Sequence, residues 1–122
     1  MTKRPKRTAA GIALADALRA IPERPNRGAA MLAYGSVEVE FYQPHSRDDQ
    51  KPHLRDEIYV IARGAAVLDI EGNRFSAKTG DVLFVPAHAK HHFLAFSEEF
   101  ATWVFFYGPD GGEGPDPEAP AP

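Results

Sequence analysis

The sequence predicts an all-β domain preceded by one short helix. Beyond residue 28 the chain contains short runs rich in Val, Ile, Phe and Tyr, the runs recur at intervals of about ten residues, and no helical pattern separates them. β-branched and aromatic residues favour strands, and evenly spaced strands without intervening helices are typical of a sandwich or barrel. We therefore expect a closed, two-layer β structure.

The N-terminal segment, residues 1–28, is expected to form an arm with a short helix between Thr8 and Ala20. Apolar residues recur there at helical spacing, and Thr8 is a residue type that caps helix starts. Pro22 disfavours helix in the residue before it and so ends the helix. The loop that follows makes this helix an appendage to the β domain.

Residues 29–107 are expected to form the β domain itself. Gly64 indicates a tight turn, and the segment from Glu71 to Arg74 indicates a hairpin loop, because Gly and Asn tolerate positive φ. Apolar and polar residues alternate from Val37 to Tyr42, which marks a strand with one wet face. The predicted strands are Ala30–Tyr34, Val37–Tyr42, Glu57–Ala62, Ala65–Ile70, Asn73–Ser76, Val82–Val85, His91–Phe96 and Thr102–Tyr107.

The last segment, residues 108–122, is expected to be a disordered tail. It contains five prolines, four glycines and four acidic residues among fifteen positions. Such a composition buries too little apolar surface to offset the entropy lost on ordering.

Composition excludes several classes of protein. The chain has no cysteine, so a disulfide framework, a thiolate metal site and a cysteine nucleophile are excluded. The formal net charge of -3 argues against binding to nucleic acid. No uninterrupted apolar run is long enough for a membrane span, and no convincing signal peptide is present, so we expect a cytoplasmic protein.

The histidines fall into two groups. His45 and His53 form the first, with Glu57 four residues after His53; the second, around His91, follows Pro86. Neutral imidazole and carboxylate are good ligands for Zn, Fe, Ni or Mn. Two such groups on different strands of a small barrel can meet at one point in its interior.

Strand geometry restricts which of these side chains share a site. In a straight strand His53 and Glu57 would be about 13 Å apart, so the chain must bend between them if they share an ion. His91 and His92 are adjacent and point to opposite faces, so only one of them can face the interior. We expect His88 to lie in the connecting loop.

Two stretches resemble the motifs of the cupin superfamily. The segment from Pro52 to Gly64 is similar to the first motif, with His53 and Glu57 at ligand positions, and the segment from Gly80 through Pro86 to His91 is similar to the second. The resemblance spans residues 37–107. It implies a small single-domain protein with a jelly-roll barrel, the cupin-type double-stranded β-helix, whose metal ligands line the interior near one mouth.

Carried over by position, the resemblance implies His53, Glu57 and His91 as metal ligands. Two residues depart from the pattern: Lys51 replaces the leading histidine of the first motif, and His88 replaces a glycine of the second. An ammonium group has no lone pair, so we expect Lys51 to turn outward. The remaining set of two histidines and one carboxylate suits Fe, Mn, Ni or Zn.

Three further residues are candidates for a supporting role. Gln50, a water molecule or, more distantly, His45 would fill the position left by the lost ligand. Tyr59 shares a face with Glu57 in a regular strand and would contact the ligands from behind. No residue is assigned as catalytic.

The sequence leaves three functional hypotheses. The first is a metal-dependent enzyme, oxygenase-like or isomerase-like, acting on a small anionic or hydroxylated molecule. The second is a non-catalytic barrel that binds or senses a small ligand or a metal, and the third is a barrel that has lost its metal. We also expect a homodimer, formed through the helix or through an edge strand at Val37–Tyr42.

Overall fold

The computed structural model describes residues 9–22 and 27–114, and it is built mainly of strands. The predicted tail residues 115–122 and the predicted cap Thr8 lie outside the described residues. The elements are α1 Leu14–Ala20, β1 Gly28–Tyr34, β2 Val37–Tyr42, β3 Asp56–Arg63, β4 Ala65–Ile70, β5 Asn73–Lys78, β6 Val82–Val85, β7 His91–Phe96 and β8 Ala101–Tyr107.

The strands form two antiparallel sheets that face each other. The larger has the order β1-β2-β8-β3-β6 and the smaller the order β5-β4-β7. Their inner faces enclose the main core, whose largest members include Tyr59, Leu68 and Phe100. The eight predicted strands are all present, and the all-β jelly-roll expectation is confirmed. Within the described residues, no helix is long and apolar enough to cross a membrane.

The helix is shorter than predicted. It begins at Leu14 rather than near Thr8, and its N-cap, Ala13, makes no side-chain hydrogen bond. Gly11 lies in the part of the predicted helix that is not helical. Glycine disfavours helix because it loses the most backbone freedom on ordering. The helix ends as predicted, because Ile21, before Pro22, has an extended backbone.

Helix α1 packs on the outside of the larger sheet. Ala17, Phe41 and Ala101 form a second, smaller buried cluster there, and Phe41 makes an edge-on contact with Trp103 at a centroid distance of 4.8 Å. The apolar face of β2 is therefore the outer face, covered by the helix. Its polar face, which carries Glu40, turns toward the space between the sheets.

Two turns have the geometry that the sequence indicates. Glu71 and Gly72 both have positive φ and join β4 to β5. Such a two-residue turn matches the twist of a hairpin. Gly64 has a φ of 73°, and a Cβ there would lie 2.3 Å from the Ser97 hydroxyl oxygen, so only glycine fits.

Residues 108–114, the first part of the predicted tail, contact the β domain. The Gly111 N–H donates to the Leu54 carbonyl (2.7 Å), and the Glu113 N–H donates to the Asp56 carboxylate (2.8 Å). The Asp56 carboxylate also accepts the Ala87 N–H (2.9 Å). Asp56 therefore joins this segment to the loop before β7.

Candidate metal centre

Three side chains from different parts of the chain meet between the sheets. His53 lies in the loop before β3, Glu57 on β3 and His91 at the start of β7. Each offers one ligand atom, and these atoms all lie within 4.8 Å of one another. The bend needed between His53 and Glu57 is present, because the chain turns at residues 54 and 55 before β3 begins.

Glu57 and His91 form the buried part of this cluster. Glu57 Oε1 lies 2.7 Å from His91 Nε2, and both side chains have no exposed surface. His91 Nδ1 lies 2.9 Å from the Ala89 carbonyl oxygen, which can only accept, so Nδ1 carries the proton. In the neutral ring, Nε2 then presents a lone pair to the carboxylate.

This arrangement requires a positive species beside the two atoms. Both Glu57 oxygens and His91 Nε2 are buried without a hydrogen-bond partner in the described part of the chain. Two lone-pair atoms at 2.7 Å repel each other unless a proton or a cation neutralises them. Two ligands of one tetrahedral zinc-like ion lie about 3.3–3.6 Å apart, because each bond is about 2.0–2.2 Å long, so these two atoms would separate by less than about 1 Å to hold the ion. The buried donor set therefore fits a divalent metal.

His53 completes the cluster from the wetter side. Its Nε2 lies 3.9 Å from Glu57 Oε2, and its side chain is 33% exposed, so the cluster opens toward solvent on this side. The ring packs edge-on against Phe106 at 4.9 Å. The His53 carbonyl accepts the His88 N–H (2.7 Å), which ties the first motif to the second.

The two histidines have opposite pKa shifts. Burial, with a smaller contribution from His91, lowers the pKa of His53 despite the nearby charge of Glu57. Burial also acts to lower the pKa of His91, but contact with the Glu57 carboxylate and the Ala89 carbonyl outweighs it and raises that pKa above its ordinary value. His53 is therefore the histidine that more readily offers a neutral ring.

Gln50 and Tyr59 lie against the cluster. The Tyr59 hydroxyl donates to Gln50 Oε1 (3.0 Å), and the same oxygen is 3.4 Å from His53 Nε2. Tyr59 is fully buried, with its ring centroid 6.4 Å from that of His91. The amide oxygen of Gln50 thus lies between the Tyr59 hydroxyl and His53.

The other histidines lie outside the cluster, whereas Lys51 lines the same cavity as His53. His45 is exposed, bridges to Arg47 and is not one of the three clustered residues, so its role as an extra ligand stays a prediction. His92 is exposed on the outer side of β7, as strand alternation predicts. His88 and Lys51 are also exposed, each as expected.

Three acidic residues near the site were not found by sequence reasoning. Asp48 accepts hydrogen bonds from four donors, Asp56 is buried, and Glu40 faces the interior from β2. The alternation in β2 showed that one face is polar. It gave no sign that this face lines the interior, because a covering helix on the opposite side is not visible in the strand's own pattern.

Two cavities border the cluster, and Glu40, His53 and Phe106 line both. One, of about 380 Å³, is also lined by Tyr42, Gln50 and Val104 among others. The other, of about 390 Å³, is also lined by Glu38, Arg55 and Asp110. A larger depression lies between β4, β5 and β7, but it contains none of the three clustered residues. Space for a small ligand therefore adjoins His53.

Sequence comparison finds a family and two informative relatives. A family model described as a cupin domain matches residues 38–107. An uncharacterized protein of Streptomyces coelicolor is 35% identical over 75 residues, which are 62% of this chain and 71% of that protein. The HTH-type transcriptional activator RhaS of Yersinia pestis is 34% identical over 74 residues, which are 61% of this chain and 27% of RhaS. This chain thus matches about a quarter of the length of RhaS.

Solved structures share the fold at low sequence identity. A cupin-2 domain protein from Shewanella frigidimarina superposes with a TM-score of 0.66 at 12% identity, covering 80% of this chain and 94% of that one. The DMSP lyase DddQ from Ruegeria pomeroyi superposes with a TM-score of 0.58 at 22% identity, covering 66% of this chain and 46% of that one. These similarities show the barrel architecture.

Proposed function

The chain belongs to the cupin domain family, and from this premise we propose that it holds a divalent first-row metal ion through His53, Glu57 and His91 and acts on a small polar molecule. The observation that carries the proposal is the buried carboxylate of Glu57, whose Oε1 lies 2.7 Å from His91 Nε2 while neither atom has a hydrogen-bond partner in the described residues. A metal ion would satisfy all three atoms at once.

Each residue of the cluster would have a different role in holding the metal. Glu57 and His91 form the buried side, and Ala89 fixes the tautomer of His91 so that Nε2 is free to coordinate. His53 closes the cluster on the side of the two cavities, and Gln50 would orient a water molecule or add an oxygen ligand. When bound, the metal supplies Lewis acidity and, if it is iron, the capacity to activate O₂. We propose oxygenase-like or isomerase-like chemistry.

Metal binding is tested by elemental analysis of protein loaded in turn with Fe, Mn, Ni and Zn. We expect about one equivalent per chain and a rise in thermal stability, since ligand at 100 times its Kd adds about 2.7 kcal/mol. Glu57→Gln and His91→Ala should remove both effects. The control is His92→Ala, because His92 is adjacent but faces outward. A wild-type protein without metal, or equal loss in the control, would contradict the proposal.

A second candidate function is ligand sensing without turnover. The similarity to RhaS, a transcriptional activator, favours it. The fold shared with DddQ, a lyase, shows that this architecture accommodates an enzyme. Oxygen consumption and product analysis with panels of thiols, catechols and small acids separate the two: turnover supports the enzyme, whereas saturable binding without turnover supports the sensor.

A further inference from the structure

Glu40 lies on the inner face of the larger sheet without being part of the metal cluster. It pairs across the sheet with Val104 of β8, which belongs to the main core, and with Ala30 of β1. Directly paired residues share a face of a sheet, so the Glu40 side chain points inward. The ligand atoms of His53, Glu57 and His91 lie within 4.8 Å of one another, and Glu40 is not part of that group.

Small neighbours leave room in front of the Glu40 carboxylate. Gly28 and Ala30 of β1 line the same cavity of about 380 Å³, which also reaches His53. On the other side, Glu40 and His53 line the second cavity together. A ligand in either space would touch both the carboxylate and the open side of the metal cluster.

The carboxylate has no partner of its own within residues 9–22 and 27–114. None of the hydrogen bonds there involves it. Arg55, whose charge attracts it, is already paired with Glu38 at 3.1 Å and donates to the Ser36 carbonyl. Lys51 lines the cavity of about 380 Å³ but forms no ion pair with Glu40 among these residues. Burial, followed by the charges of Glu38 and Glu57, raises the pKa of Glu40. Placing an acid here costs stability, so its position is better explained by a ligand than by the fold.

We propose that Glu40 is the specificity-determining residue of the cavity and selects small ligands that present a hydrogen-bond donor, a hydroxyl or an ammonium group, beside the atom that reaches the metal. This inference rests on the proposed function. The inference also restricts the charge of the expected substrate. Glu40 is a second interior carboxylate besides Glu57, and its negative charge offsets the positive charge of the metal, so a dianionic substrate is disfavoured.

The test uses four probes that share a propionate chain and differ only at its far end. They are 3-hydroxypropionate, β-alanine, butyrate and succinate, which place a hydroxyl, an ammonium, a methyl and a carboxylate at the same position. Their affinities for the Mn-loaded protein are measured by titration and by paramagnetic relaxation of the probe protons. Glu40→Gln removes the charge, and Glu99→Gln makes the same change at an exposed residue outside both cavities.

In the wild-type protein and in Glu99→Gln, 3-hydroxypropionate or β-alanine should bind about tenfold more tightly than butyrate, and succinate should bind most weakly. A hydrogen bond to a charged group supplies a difference of this size. In Glu40→Gln these ratios should fall to within about threefold, and succinate should gain affinity. The hydroxyl and ammonium arms then identify which donor is preferred.

Three results would overturn the inference. Equal binding of all four probes to the wild-type protein is the first, and an unchanged order in Glu40→Gln is the second. Loss of manganese from Glu40→Gln is the third, since the residue would then be a ligand. Absence of metal from the wild-type protein is a separate result, visible in elemental analysis, that removes the proposed function and this inference together.

Discussion

At the scale of single residues, the site is defined by polar atoms that lack a hydrogen-bond partner among the described residues. Glu57 contributes two buried oxygens, and His91 contributes a nitrogen whose tautomer is fixed by Ala89. Glu40 adds a half-buried carboxylate that faces the same space. Groups of this kind lower stability in an empty protein, and they are the usual cost of a binding site.

Glu40 should make stability depend on pH. The pKa of Glu40 is raised in the folded protein, so ionisation of this carboxyl disfavours folding. At low pH Glu40 is protonated in both the folded and the unfolded protein, and ionisation costs no stability. The cost develops as the pH rises from the pKa of the unfolded protein through the pKa of the folded protein. We expect Glu40→Gln to stabilise the metal-free protein at pH 7, by less than about 1 kcal/mol because the side chain is half-exposed. Urea unfolding at pH 7 and below pH 4 measures this, and the gain should vanish at the lower pH.

His88 occupies a strained backbone position. Its φ is 68°, and it stands where the resembling motif has a glycine. A left-handed conformation costs a non-glycine residue about 1–2 kcal/mol. His88 therefore replaces a glycine of the motif, while the backbone of the turn keeps the positive φ that glycine adopts without strain.

A glycine at position 88 should consequently give a more stable protein than an alanine. We expect His88→Gly to be about 1 kcal/mol more stable than His88→Ala in urea unfolding, because only glycine adopts positive φ without strain. The matched pair at His92, in a regular strand, should show the reverse order by about 0.5–1 kcal/mol. The same order at both positions would disprove the strain at His88.

At the scale of elements, the loop from residue 43 to residue 55 decides how the site is assembled. Asp48 accepts the Tyr42 hydroxyl (2.6 Å) and the Phe93 N–H (2.7 Å), so it connects the end of β2 to β7 in the other sheet. It also accepts from the Gln50 side chain (2.8 Å), which sets the amide oxygen beside His53. One carboxylate thus fixes both the path of the loop and the orientation of Gln50.

Removing this carboxylate should weaken both the fold and the site. We expect Asp48→Ala to cost about 1–3 kcal/mol in the free energy of unfolding, because buried donors lose their acceptor. Metal affinity should fall about 10–100-fold, since Gln50 loses its support. Asp49→Ala is the control: Asp49 makes an exposed pair with Arg47, and its loss should change stability by less than about 1 kcal/mol. Calorimetry and metal titration of both variants provide the comparison.

At the scale of the whole molecule, two sheets enclose the site and a helix covers part of one outer face. The expectation that Val37–Tyr42 is an edge strand is wrong, because β1 pairs with this strand on the side away from β8. The edge strands of the larger sheet are β1 and β6. A dimer contact through β2 as an edge is therefore ruled out. The homodimer itself stays a prediction, for which light scattering is the measurement.

Strand positions were predictable because they depend on near neighbours in the chain. The hairpin at Glu71 and Gly72, the turn at Gly64 and the opposite orientations of His91 and His92 follow from local backbone preferences and from the two-residue period of a strand. The extent of α1 was overestimated, because Thr8 indicated a helix start whereas Gly11, between Thr8 and Leu14, disfavours helix.

Eight strands could be predicted from local residue patterns, and the resemblance of two motifs to those of the cupin superfamily implied the three residues that cluster between the sheets. Contacts between distant residues were needed to establish that the polar face of β2 is the inner one, that Asp48 reaches β7, and that Asp56 is buried. A strand's alternation specifies two faces but not which one another element covers. That choice, like the path of a long loop, depends on contacts between residues far apart in the chain.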